Sequence, residues 1–181
     1  LCTTLLKPQT MEISMPSDKE DVKEENQSQV AASKAITILI DENNTLYYFK
    51  GKPDGGTDIP NEGKLFATTY GKNGLRKVLL ESNPQAVKAV QALKDKYARM
   101  VTSNVQQEQK QKAQFKEELN KIKNAEYTPS VIIKASDKAT YDNLIQVLDE
   151  MQICSIGRYV IDKFADGDRL KIEALKNGTA Q

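Results

Sequence analysis

Histidine and tryptophan are both absent from the 181 residues, and there are only two cysteines. Without histidine the chain loses the commonest general base, the usual metal-binding side chain and every Ser-His or Cys-His nucleophile arrangement. Cys2 and Cys154 stand far apart and form neither a disulfide framework nor a zinc-ligand spacing. Cys154 lies in the apolar "MQICSI", where a small buried hydrophobe is the better reading than a reactive thiol. A dominant charge is missing too: 26 Lys and Arg stand against 25 Asp and Glu, so no net field draws the whole chain onto nucleic acid or an anionic membrane. Phosphate loops are lacking, because "GKPDGG" has neither the strand–loop–helix layout nor the Lys-Ser/Thr ending, and no G-x-G-x-x-G occurs. The acidic residues at 18–25 and Asp162, Asp166 and Asp168 match no calcium-loop spacing and read as solvated loop charge. No catalytic residue, metal or cofactor is expected, and the chain does not read as an enzyme.

What is present divides into zones. Residues 1–33 form an arm: an apolar "LCTTLL", an alternating "MEISMP", then "SDKEDVKEENQSQ", too charged and too poor in large apolar residues to offset the entropy of ordering. From 34 onward the composition is that of a folded domain. "AITILI" and "TLYYFK" are β-branched and aromatic runs around "DENN", which predicts a hairpin with strands at 35–40 and 45–50 and a four-residue loop. "GKPDGGTDIPNEG" is loop, and "KLFATTY" is a short extra strand or ordered loop. "NGLRKVLLESNP" predicts a short helix over 74–81.

After Pro84 no Gly or Pro occurs until Pro129, and Val87, Val90, Leu93, Tyr97, Met100, Val101 and Val105 recur at helical spacing. Beyond the polar "QQEQKQKAQ", which reads as a solvated face or a turn, Phe115, Leu119 and Ile122 resume that spacing. A single helix of about 40 residues would be roughly 60 Å long, so this segment, about 84–126, must project, bend or fold back as a hairpin. "SVIIKA" then predicts a strand, "TYDNLIQVLDEMQI" a helix capped by Thr140 with a stripe of Tyr141, Leu144, Ile145, Leu148 and Met151, and "IGRYVIDKF" a strand. "ADGDRLKIEALKNG" favours a terminal helix, although alternating Leu170, Ile172 and Ala174 would also suit a strand. A helix joining two strands of one sheet usually leaves them parallel. The expected fold is α+β: a two-layer sandwich of a small mixed sheet with helices on one face, plus a long helical insert.

"KPQTMEISMPSD" after an apolar stub, "AITILIDENNTLYYFKGK", and "VIIKASDKATYDNLIQVLDEMQI" followed by "GRYVIDKF" together resemble the ExbD/TolR family of biopolymer transport proteins. The resemblance covers the arm and both ends of the domain, but not about 52–126. It implies a periplasmic domain of a subunit anchored in the inner membrane by one transmembrane helix, of which "LCTTLL" looks like the outer end. It also implies a proton-driven motor with an ExbB/TolQ-like membrane subunit, homodimerisation, and relay of energy to a TonB/TolA-like protein. Two sites are carried over. Met11, Ile13 and Met15, on one face of an extended strand that ends at Pro16, would add to the folded domain of the paired subunit. An exposed sheet edge would take an extended partner segment, and the strand with Tyr47, Tyr48 and Phe49 is a candidate; otherwise one face of that strand is core and Tyr48 is half exposed.

Two other readings use the same residues. One is a peptidoglycan-binding module like the TolR branch. The other is a soluble adaptor using 85–123 as a coiled-coil arm, against which stands the break in apolar spacing across "QQEQKQKAQ".

Overall fold

The computed structural model describes residues 34–56 and 59–178, so the arm, with Met11, Ile13, Met15 and Pro16, lies outside the described residues. The described chain is α+β, with a five-stranded mixed sheet and five helices, and it forms two compact units.

The sheet unit contains β1 (Ala35–Ile40), β2 (Leu46–Lys50), β3 (Phe66–Thr68), β4 (Ser130–Ala135) and β5 (Tyr159–Lys163), in the order β3-β2-β1-β4-β5. β1 pairs antiparallel with β2 and parallel with β4, and β4 pairs parallel with β5, as a helix between the last two strands predicts. The hairpin loop turns more tightly than four free residues would. Asn43 and Asn44 both take positive φ, 57° and 58°, and the Thr45 amide donates to the Glu42 carbonyl, as in the tight turns whose twist matches paired strands. Asparagine tolerates that conformation better than other residues with a Cβ, which is why "DENN" can turn here.

Five of the six residues of β1 are buried, giving the near-continuous apolar run of a strand covered on both faces. One sheet face presents Leu39, Tyr47 and Phe49, which pack with Leu65 and with Ile172 of the terminal helix α5 (Asp166–Lys176). The alternative of a C-terminal strand is thereby settled: Ile172 sits in the core while Leu170, two residues earlier, is exposed. Asp168 fixes the start of α5 by accepting from the Ala165 amide at 2.8 Å, and it pairs with Lys134 at 3.2 Å. Lys171 donates to the carbonyls of Pro53 and Gly63, tying the loop that follows β2 to α5.

At the carboxyl ends of β1 and β4, Asp41 accepts from Ser136 Oγ at 2.7 Å and from both terminal nitrogens of Arg169, at 2.7 and 3.0 Å. Burial alone would raise this carboxyl. The bonds from Arg169, Ser136 and the Glu42 backbone outweigh it and hold the group at about 2, below the ordinary 3.8.

The helical unit contains α1 (Leu75–Glu81), α2 (Pro84–Ala98), α3 (Val105–Lys123) and the greater part of α4 (Tyr141–Ile153). Pro84 occupies the first turn of α2, where its missing N–H costs nothing. α2 and α3 fold back on each other, with Tyr97 edge-on to Phe115 at 5.3 Å and its hydroxyl donating to Glu118 at 2.6 Å. The segment after Pro84 is thus a helical hairpin, broken at 99–104, and not one continuous helix. The polar "QQEQKQKAQ" does not make the turn; it is a solvated stretch inside α3. The expected apolar stripe of α2 ends early, because the helix stops at Ala98 and leaves Val101 and Val105 exposed.

Thr140 caps α4 as expected: its Oγ1 accepts from the Asn143 amide, and the Asn143 side chain accepts in return from the Thr140 amide. The buried line of α4 runs through Asn143, Val147, Glu150 and Met151, and Tyr141 is exposed, so only Met151 of the expected stripe is fully buried. α4 ends with Ser155 at φ 58° and the Ile156 amide bonded to the Met151 carbonyl, a Schellman-type stop without glycine. Cys154 is buried beneath it, and burial pushes its thiol up to about 12, as befits a structural cysteine.

The depressed pKa of Asp41 makes its contribution present above the unfolded value of 3.8 and lost as pH falls through about 2. A shift of this size is worth about 2 kcal/mol. Urea melts of the chain between pH 5 and 2 should show that loss. Arg169→Gln should flatten that loss, because without the guanidinium the Asp41 carboxyl returns toward or above its unfolded value, whereas identical pH profiles for both chains would refute the assignment.

Candidate partner-binding surfaces

The three side chains proposed for an edge strand lie on β2, which is an inner strand. β3 covers it through the register Leu46↔Thr68, Tyr47↔Ala67 and Tyr48↔Phe66. Tyr47 and Phe49 are core, and Tyr48 is half-buried, stacked on the Phe66 ring at 5.5 Å. The edge expected at "TLYYFK" is therefore displaced outward to "FAT", a segment whose sequence left strand and loop both open.

Among the described residues, the two edges of the sheet are β3 and β5. β3 is three residues long, and Lys64 lies over its Phe66 ring. Short, charge-flanked edges of this kind discourage indiscriminate pairing. β5 is longer, bonds on one side only among the described residues, and presents Val160 at 40% exposure beside Asp162 and Lys163. A five-residue edge with one exposed apolar side chain can accept an extended segment through backbone bonds, while its charges constrain which segment fits.

Among the described residues, the buried carboxylates are engaged by neighbouring side chains and amides. Asp41 is taken up by Ser136 and Arg169, Asp168 by Lys134 and the start of α5, and Glu150 by a two-bond pair with Arg76 at 2.9 Å each. No group of acidic and cysteine side chains among the described residues is arranged to hold a metal. No helix among the described residues is long and apolar enough to cross a membrane.

The hairpin offers a second kind of surface. Its base is latched where the Gly157 amide donates to the Lys123 carbonyl at 3.0 Å and Lys123 Nζ donates to Gln152 at 2.7 Å. Gly157 fits closely there, since a Cβ would come within 2.9 Å of the Asn124 side chain and 3.0 Å of Lys123 Cβ, so a larger residue must displace them. Further along, the Glu118 hydrogen bond raises the Tyr97 hydroxyl to about 12, while the bonds from Tyr97 and Lys96 hold Glu118 below the usual carboxylate range. The hairpin is thus clamped by local polar contacts as much as by apolar packing.

A profile described as Biopolymer transport protein ExbD/TolR matches residues 1–165. The chain belongs to the ExbD/TolR family. The match takes in the arm and runs through the helical hairpin, ending just before α5. Comparison with curated proteins and with solved structures returns no match. Membership gives this ExbD/TolR protein a role in energy-coupled, membrane-associated biopolymer transport.

Gly157→Val should force Lys123 and Asn124 apart and cost about 1–3 kcal/mol as an overpacked contact. Hydrogen exchange at 120–124 should quicken, and thermal melts should show the loss. Unchanged exchange there would mean that the latch does not hold the hairpin.

Proposed function

We propose that this chain is the non-enzymatic periplasmic part of a proton-motive-force-driven inner-membrane motor subunit, which relays energy to a TonB-like partner for outer-membrane transport. The observation that carries the reading is the β5 edge, paired on one side only among the described residues, on the mixed sheet of an ExbD/TolR protein. In this proposal the subunit works as a homodimer beside an ExbB/TolQ-like membrane protein. The arm strand with Met11, Ile13, Met15 and Pro16 adds to the folded domain of the paired copy. Three apolar side chains on one face would set its register, and backbone bonds would supply the affinity.

An arm of this kind is a two-state element, docked or released. A motor can drive it only if one motor state favours the docked form over the other. The TonB/TolA-like partner is proposed to compete for, or extend, the same kind of edge. The supporting argument is one of chemistry: a sheet edge accepts an extended segment of either origin, and the side chains beside it choose between them.

The test is the self-association of the chain with and without residues 9–16, followed by sedimentation equilibrium. Loss of the arm strand should weaken the dimer at least about tenfold, the effect of one or two kcal/mol of strand pairing. Val160→Lys on the β5 edge should weaken it as well if that edge is the receiving one. Equal dimer affinity with and without residues 9–16 would sink the arm-docking mechanism.

A further inference from the structure

Hairpin tips usually turn their apolar residues inward, and this one does not. Between α2 and α3, Met100 is 37% exposed, Val105 67% and Val101 91%. Two polar side chains at the tip are engaged: Asn104 accepts from the Gln107 amide at 2.9 Å, and the Ser103 hydroxyl donates to the Gln107 side chain at 2.9 Å. These bonds order the start of α3 next to the exposed Val101. Beside it, an open recess of about 320 Å³ lies between Tyr97, Met100, Thr102 and Phe115.

Charge is distributed unevenly around this tip. Residues 94–112 carry Lys94, Lys96, Arg99, Lys110 and Lys112 against Asp95 and Glu108, a local net of +3 in a chain whose total is +1. The near neutrality of the whole sequence conceals this. Lys96 is committed to Glu118 and Lys112 to Glu108, while Lys94, Arg99 and Lys110 are exposed and make no ion pair among the described residues. Arg99 directly precedes Met100 beyond the end of α2, and along α3 Lys110 is about 8 Å from Val105 at 1.5 Å per residue. That spacing matches the depth to which apolar groups sink beneath the phosphates of a bilayer, about 5–10 Å.

We propose that the tip of the α2–α3 hairpin docks on an anionic lipid surface, Val101 and Met100 entering the acyl boundary while Lys94, Arg99 and Lys110 meet the head groups. The projecting tip and its ring of unpaired cations complement a negatively charged bilayer in both shape and sign. The proposal rests on the hairpin alone and stands apart from the arm-docking reading. Each cation held near such a surface strengthens binding by roughly fivefold, so the three together supply about a hundredfold.

The experiment places an indole at the tip of the full chain by Val101→Trp, which is the only indole because the sequence has no tryptophan. Vesicles containing about one-third phosphatidylglycerol should shift its emission to the blue and bring the protein down on sedimentation, and ~0.5 M salt should reverse both. Pure phosphatidylcholine should do so at least tenfold more weakly. Combining Lys94→Gln, Arg99→Gln and Lys110→Gln should lose about a hundredfold in partitioning, with unchanged circular dichroism. An unshifted indole on both kinds of vesicle overturns the proposal and leaves the tip to a protein partner. Retention of the triply substituted chain on anionic vesicles also overturns it, since binding would then run through another part of the molecule.

Discussion

Ala35–Ile40 bonds on both sides, antiparallel to Leu46–Lys50 and parallel to Ser130–Ala135, and it is buried almost throughout. A slip of one residue would exchange its two faces, so its register governs what can be built around it. With Leu39 opposite Tyr47 and Thr37 opposite Phe49, one face acquires the apolar floor on which Ile172 rests. The same register ends β1 beside β4 so that Asp41 meets Ser136, and the carboxylate then selects the position of Arg169 on α5. A buried carboxylate with a partly buried guanidinium is weak as net stabilisation but costly to break. It serves here to fix the direction of the terminal helix, where apolar packing alone would permit several.

The helical unit is built on a different balance. Leu75, Leu79, Ala86, Leu93, Val147 and Met151 are buried in it, yet α3 has no buried residue. Helices of such sequence, rich in Gln, Glu and Lys, have good intrinsic propensity but little apolar area with which to hold a partner. Polar clamps at defined points take over: Tyr97 with Glu118, Lys96 with Glu118, Lys123 with Gln152 and the Gly157 amide. Contacts of this kind fix orientation with modest stability, so the hairpin should open locally at lower cost than the sheet.

β1, β2, β4, β5 and α4 were legible because their signals are local: β-branched and aromatic runs and a Thr140 cap. Asp168, read as solvated loop charge, is instead buried, accepting from the Ala165 amide and pairing with Lys134, partners that the sequence alone does not bring together. Edge and interior were not legible, since whether β2 is inner depends on three residues, "FAT", pairing across a loop of mixed Gly, Pro and Asp. Burial on α4 was misjudged by about one residue of rotation, because polar Asn143 and Glu150 are buried through specific partners, Asn44 and Arg76, that lie far away in sequence. The stripe through Val101 and Val105 misled for the opposite reason. Periodicity in sequence continues across a break that is set by the caps at Arg99 and Asn104, and only the fold shows which apolar residues it strands outside. The family resemblance was read from the arm and the two ends of the domain, whereas the family match also takes in the span about 52–126 that the resemblance left out; the proposed binding arm itself falls outside the described residues.

The surfaces left open differ in the physics of what they can recognise. A strand edge bonds through the backbone, so occupancy is close to all-or-none over several residues and is sensitive to register. That suits a contact which must switch between two states. An apolar tip with a few cations has no register; its affinity grades smoothly with charge density and salt. That suits a contact which must persist while other parts of an assembly move. In the proposals made above, an ExbD/TolR protein in energy-coupled transport would use both kinds of contact. The separation of the two chemistries onto a sheet edge and a helical tip lets each be altered by substitution without disturbing the other.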